Sequence, residues 1–262
     1  MRIITLLLFI FSIVLNANSQ ILKKPIPDKL VVLTFDDAPA SHYSVVAPIL
    51  KEFGFGATFF VCEFPPNYKD STLYMNWRQI KALANMGFEI ANHTQTHANI
   101  TNLSQAQFNE ELAYIENKCD SLGISNPTNF AYPGYGLNSE VLKFLNEKKY
   151  VFARAGGSRV YDPLLDHPYL IPSWATDADN KNEIMASLEK AKKGKIVVLT
   201  LHGVPDIEHP WVNTPPKLFK EYLQYLYDHK FKVISLRDLS NYINTDKAKE
   251  TIVPNLSKEL KN

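Results

Sequence analysis

The chain has 262 residues, 45% hydrophobic and 12% aromatic, which is the composition of one large or two small globular domains and excludes a disordered polymer. Its 28 Lys plus Arg against 27 Asp plus Glu leave no basic excess for a phosphate-binding face, which argues against nucleic acid as a partner. Two cysteines without a C-x-x-C spacing exclude zinc ribbons, thioredoxin-like redox sites and c-type haem attachment, leaving Cys62 and Cys119 as one bridge or two buried thiols.

Residues 1–19 read as an export signal. Arg2 precedes an apolar run over residues 3–15, and Ala17 and Ser19 occupy the small-residue positions of a signal-peptidase site. An uncleaved anchor is the alternative, but the run is shorter than the roughly 20 apolar residues of a membrane span, and no second such run follows. Cleavage would remove Arg2 alone from the charge balance, so that 28 less 1 leaves 27 basic residues against 27 acidic ones. Residues 20–28 follow as a short linker.

The next 215 or so residues alternate β-branched apolar runs with helix-period segments, the signature of βα units. Strands are predicted at 30–35, 57–61, 88–91, 129–132, 151–153, 169–171, 196–201 and 231–234, several of them apolar throughout, as suits parallel strands buried on both faces. A helix carrying Trp77, Ile80 and Ala84 ends at Gly87. Another opens with a Ser104-x-x-Gln107 capping box, places Phe108, Leu112, Ile115 and Cys119 on one stripe, and closes at Gly123. A third starts after Thr214 at Pro215-Pro216 and carries Phe219, Tyr222, Leu223 and Leu226. Residues 244–262 are polar with weak apolar spacing and read as a loosely docked helix or tail. This length and order suit one closed α/β barrel, although an open doubly wound sheet uses similar parts. No G-x-G-x-x-G or Walker A sequence follows any strand, which weakens the nucleotide-binding version.

A barrel places reactive residues at the carboxyl ends of its strands. Three polar clusters stand there: Asp36-Asp37 after the first strand, His93 to His97 after the third, and His202-Gly203 after the strand at 196–201. Two adjacent carboxylates closing an apolar strand are costly to bury unless their charge is balanced, and a divalent cation near two imidazoles would balance it. His93 and His97, four apart on a single turn or a tight loop, can approach one ion together. With one carboxylate they make a two-His, one-carboxylate set that keeps open positions for water and substrate.

Thr34-Phe35-Asp36-Asp37, His93-Thr94-Gln95-Thr96-His97 and Leu201-His202-Gly203 together resemble the motifs of polysaccharide deacetylases of the NodB-homology type, carbohydrate esterase family 4. The resemblance implies an irregular, TIM-like (β/α)7 barrel as a single domain over residues 29–243. It further implies that Asp37, His93 and His97 bind a divalent metal, zinc first and cobalt or nickel as alternatives. By the same resemblance Asp36 is the general base, His202 protonates the departing amine, and a backbone N–H just after Pro133, in the Pro133-Gly134-Tyr135 segment, holds the oxyanion. The substrate implied is an N-acetylated glycan, processed by a secreted or periplasmic enzyme.

The sequence departs from the family at Ala131, where an Arg contacting the catalytic Asp is common. Arg154, leaving the next strand, either supplies that cation or forms a structural salt bridge. Trp174 corresponds loosely to a fourth motif and either lines an acetyl pocket or packs in the core. Trp211 and His209 follow His202 on a loop that overhangs the mouth or folds under itself. Ala131 also admits a catalytically impaired carbohydrate-binding protein on the same fold, and the same site chemistry would serve an O-acetyl or other acyl esterase acting on a glycan such as xylan. A two-carboxylate glycosidase is disfavoured, because adjacent Asp36 and Asp37 cannot flank a glycosidic bond at the separation that chemistry needs and no second acid is evident.

Overall fold

β1, Leu30–Phe35, is buried along its whole length, and its alternation sorts the molecule into two layers. Leu30 and Val32 point into the barrel, with Phe60, Ala91, Ala131, Phe152, Ile171 and Val198 of the other strands, whereas Val31, Leu33 and Phe35 face the helices outside. The computed structural model describes residues 21–258, so the predicted export signal lies outside the described residues.

The strands are β1, β2 (Thr58–Val61), β3 (Glu89–Asn92), β4 (Asn129–Ala131), β5 (Phe152–Gly157), β6 (Ile171–Ala175), β7 (Val197–Leu201) and β8 (Lys232–Ile234). All pairings are parallel, and β1 to β7 close into a ring because β1 pairs both β7 and β2. This is the closed seven-stranded barrel that the family resemblance implied, and not the open doubly wound sheet. Its irregularity has a local cause: β1 pairs β2 only through Thr34 and Phe35, while the lower half of the same edge, Leu30 to Val32, pairs β8. β8 is therefore a wedge between β1 and β2. Gly56 makes room for it, since a Cβ there would sit 3.0 Å from the Ser235 backbone nitrogen.

The helices are α1 (Ala47–Phe53), α2 (Trp77–Asn85), α3 (Gln105–Ser121), α4 (Ser139–Glu147), α5 (Lys181–Leu188), α6 (Pro216–Asp228) and α7 (Thr245–Thr251). The Ser104 capping box is formed, and a second one, Asn76 with Gln79, opens α2. Thr214 does not cap α6; its hydroxyl bonds that of Thr176 at 2.7 Å. Cys62 and Cys119 are both free and buried.

Three sequence expectations differ from the structure. β5 continues four residues beyond Ala153 to Gly157, and β6 lies later than expected, because Arg154 and the Pro172-Ser173 step interrupt the apolar runs that marked strands. The linker is packed: Ile21 and Ile26 are buried with Tyr242 and Ile243 at the barrel floor. The C-terminal segment is docked as well. Ala248 of α7 is fully buried, Leu256 packs on the cluster containing Tyr169 and Leu170, and Lys258 pairs with Asp166 at 3.1 Å. It lies against the β5–β6 connection, which has no helix of its own. Among the described residues no helix is long and apolar enough to cross a membrane.

Candidate active site

The strand exits carry the site because each chain turns sharply there. The Asp36 N–H still donates to Leu201 O, at 2.9 Å, so Asp36 continues the alternation of β1 and faces inward above Thr34. Asp37 and Ala38 then adopt positive φ, 70° and 56°, which bends the chain over the barrel and leaves both carboxylates at the mouth. After β3, Asn92 Oδ1 accepts from Thr94 N, and Thr94 and His97 also take positive φ. The His93–His97 segment is thus a tight loop and not a helical turn. Glu111 of α3 braces it, accepting from Thr96 N at 2.7 Å and from Thr96 Oγ1 at 2.8 Å. After β7 the chain reverses at Gly203, where a Cβ would lie 2.5 Å from the Asp206 Cα.

These turns bring Asp36, Asp37, His93, His97 and His202 together. Asp37 Oδ1 is 3.4 Å from His93 Nε2 and 3.4 Å from His97 Nε2, and Asp37 Oδ2 is 3.8 Å from His202 Nε2. His93 Nδ1 must be the protonated nitrogen, because its partner at 2.9 Å is the Ala131 carbonyl, which only accepts. In the neutral imidazole, Nε2 is then the nitrogen whose lone pair faces Asp37. One ligand atom from each of Asp37, His93 and His97 lies within 4.8 Å of the others. Asp37 Oδ1 is buried and has no hydrogen-bond partner among the described residues. A buried carboxylate oxygen without a donor, facing two imidazole nitrogens, fits a divalent cation bound among the three.

The electrostatics agree with that arrangement. Burial alone would raise the Asp37 carboxyl, but the interaction with His93 and the charges of His202, His93 and His97 outweigh it and hold it well below the usual carboxylate range. Burial, reinforced by the nearby His93, pushes His97 down to about 4, so at neutral pH its imidazole is the unprotonated form that ligates metals.

Asp36 has a different partner. Arg154, fully buried in β5, donates from Nη2 to Asp36 Oδ2. Its guanidinium lies 5.4 Å over the Phe60 ring and 5.6 Å over the Tyr135 ring. Arg154 and Ala131 are Cα partners in the β4–β5 pairing, so the cation stands one strand away from the position at which the family resemblance placed it. The Pro133–Tyr135 turn follows β4 directly; Pro133 is buried, Gly134 is exposed, and Tyr135, with φ of 56°, lays its ring against Gly156 and Arg154.

Trp174 is not part of this constellation. It pairs with Leu199, shares the outward face of the sheet and is buried in the helix-side core with Lys190 over its ring, so it corrects the acetyl-pocket expectation in favour of packing. Its neighbour Ser173 points inward, as Ile171 does, and is linked to Thr200 and Ala155 O. Sequence reasoning missed Glu111 and also Phe64, whose ring lies 4.7 Å from that of His97. Glu111 adjoins the core residue Leu112 on a helix stripe, and nothing in its spacing marks it.

A parallel barrel bearing an Asp-His-His cluster beside an Asp–Arg pair defines a hydrolase-like mouth on a (β/α)7 fold. The sequence profile of the polysaccharide deacetylase family matches residues 23–153, and the chain belongs to that family. A Bacillus subtilis protein named for that activity, YxkH, is 30% identical over 128 residues, 49% of this chain and 44% of its own. A peptidoglycan-N-acetylglucosamine deacetylase of Bacillus cereus is 28% identical over 127 residues, 48% of this chain and 56% of its own. The chain thus spans about half the length of these curated relatives. Among solved structures, the Xyl-CE4 domain of a multidomain xylanase from the hindgut metagenome of Trinervitermes trinervoides matches with a TM-score of 0.57 and 22% identity, over 82% of this chain and 90% of that one. A family 4 pseudoenzyme from Bacillus anthracis matches equally, at a TM-score of 0.57 and 19% identity, over 82% and 66%. The shared barrel therefore defines the fold and leaves activity to the site.

Proposed function

We propose that this protein is an exported, metal-dependent hydrolase that removes N-acetyl groups from a polymeric or oligomeric amino sugar. The observation that carries the reading is the joint one: an Asp37-His93-His97 cradle fit for a cation, with a separate carboxylate, Asp36, held beside it by a buried guanidinium. Zinc suits two imidazoles and a carboxylate, and cobalt or nickel would fit the same donors. When bound, such an ion polarises an acyl carbonyl and lowers the pKa of water toward about 7.

The remaining work falls to the chain. Asp36 takes the proton of the attacking water, and Arg154 fixes the direction in which that carboxylate points. On the turn after β4, the N–H of Tyr135 is committed to Tyr132 O and that of Gly136 to Pro133 O, which makes the Gly134 N–H the donor for the developing oxyanion. His202, on the opposite side of Asp37 from the other two imidazoles, protonates the departing amine. Export rests on the apolar segment 3–15 and its small-residue site. The catalytically impaired reading drew on Ala131, and the Arg154–Asp36 contact weighs against it by offering a cation from β5.

The test is acetate release from N-acetylglucosamine oligomers, peptidoglycan, poly-N-acetylglucosamine and acetylxylan, with zinc and with chelator. Zinc-dependent release that Asp36→Ala abolishes is the expected result. No release from any amino-sugar polymer, with Asp36→Ala equal to wild type, would refute it.

A further inference from the structure

The loop between β7 and α6 exposes two large apolar side chains, Ile207 and Trp211, each 70% accessible. An exposed Trp on a floppy loop signifies little, but this loop is held at many points. The Asp206 carboxylate accepts from Gly203 N and His209 N, both at 2.8 Å. Asp206 N donates to Asn213 Oδ1, Val204 N to Ser41 Oγ, and Thr214 N to Gly203 O. Across the mouth, Asn67 Nδ2 donates to Glu208 Oε2 at 2.9 Å, tying the loop to the segment that follows β2. Trp211 is therefore presented in a fixed place, and holding an aromatic side chain ready reduces the ordering cost of binding.

The Trp is also continuous with the site. The His97 ring lies 4.7 Å from Phe64, Phe64 lies 4.8 Å from His209, and His209 lies 5.4 Å from Trp211. Asp206 Oδ1, 3.4 Å from His209 Nδ1, steadies the middle ring. An unbroken row of rings thus runs from the cation cradle to the rim. Two exposed apolar residues are far short of the 20 or so residues a side that a stable protein interface needs. They match one sugar ring, whose C–H face is apolar and whose edge carries hydroxyls that His209 and Glu208 border.

We infer that Trp211, backed by His209 and Phe64, is a stacking platform for a pyranose ring of the glycan, at a position neighbouring the residue whose acetyl group reaches the Asp37-His93-His97 cluster. The inference rests on the deacetylase reading and adds that recognition requires an oligomer. Glu208 at the border makes a strongly anionic polymer a poor occupant.

The test compares wild type, Trp211→Ala and Trp211→Phe on N-acetylglucosamine oligomers from dimer to pentamer and on 4-nitrophenyl acetate, which is too small to reach the platform. Oligomer Kd is measured in parallel by calorimetry with the metal chelated. Trp211→Ala is expected to raise Kd and KM for the longer oligomers about tenfold while leaving kcat and all 4-nitrophenyl acetate kinetics unchanged, and Trp211→Phe to recover most of the loss. Equal Kd and KM at every length would overturn the platform. So would a parallel loss on 4-nitrophenyl acetate, which would make Trp211 a prop of the loop, or a changed sedimentation coefficient, which would assign it to self-association. If wild type releases no acetate from any oligomer, the deacetylase reading fails by itself. Calorimetry still decides the platform in that case, since wild type that binds no oligomer refutes it.

Discussion

Arg154→Met tests the most unusual contact in the site. Arg154 is fully buried, and among the described residues the one hydrogen bond of its side chain is to Asp36, itself 3% exposed. Methionine keeps much of the apolar stem and removes the charge, leaving the Asp36 carboxylate buried without its cation. Breaking a buried pair in this way costs about 3–5 kcal/mol, a large share of the roughly 5–15 kcal/mol that holds a domain together, so the variant should fold with a lower urea midpoint. General-base catalysis contributes about 10²–10⁴-fold, and a base without its orienting partner should forfeit a comparable part, about 10²-fold or more in kcat. Ala131 and Arg154 are paired across β4 and β5 and face the same interior, so the double variant Ala131→Arg/Arg154→Ala returns a guanidinium to Asp36 from the other strand. Steady-state acetate release over a pH series, with urea unfolding alongside, supplies the readout. A folded Arg154→Met with kcat within threefold of wild type, or a double variant no better than Arg154→Ala, would refute the reasoning.

Other predictions follow from neighbouring contacts. His97→Ala should weaken zinc more than Glu111→Gln does, the latter by about 10–100-fold as an outer-shell change, read by competition with a chromogenic chelator. His42 is buried, donates from Nε2 to His202 O, and is pushed from 6.5 down to about 4 chiefly by burial. A histidine depressed in the fold contributes stability that is complete above pH 6.5 and is lost as pH falls toward 4, about 3 kcal/mol in all. Urea unfolding at pH 7 and pH 4.5 should therefore show a smaller acid loss in His42→Gln than in wild type. Ala38, at φ 56°, is strained by its Cβ, so Ala38→Gly should be neutral to stabilising by up to about 1 kcal/mol in thermal unfolding.

What could be read from the sequence follows from what each residue has to satisfy locally. β1 and β7 were legible because strands buried on both faces are apolar at every position, and the Ser104 and Gln107 pair marks a helix start by its own reciprocal bonds. Asp36, Asp37, His93, His97 and His202 were legible as a set because a barrel delivers strand exits to one place. β6 was displaced in the reading because Pro172 and Ser173 obscure its period, and the inward side of β6 is polar where Ser173 meets Thr200. The C-terminal segment looked polar because, of its described side chains, Ala248 alone is buried and Leu256 is partly so. Trp174 was ambiguous for a different reason: a motif position says which strand a residue occupies, while its parity against Leu199 says which face, and parity requires the register.

The displaced arginine extends that point. A linear motif assigns a cation to position 131, yet what Asp36 requires is a guanidinium at one point inside the barrel. In a parallel barrel, register partners on adjacent strands face the same way, at a strand spacing of about 4.8 Å, well within the reach of an arginine side chain. Position 154 can therefore serve the same carboxylate as position 131, at the cost of threading the side chain past Phe60 and Tyr135, whose rings it contacts. Judged by linear motif alone, a chain with Ala131 lacks the cation; judged by register, it keeps the cation and changes the strand that carries it. The same comparison applies to other family 4 barrels lacking the motif arginine: the β5 partner position is where a substitute cation would stand.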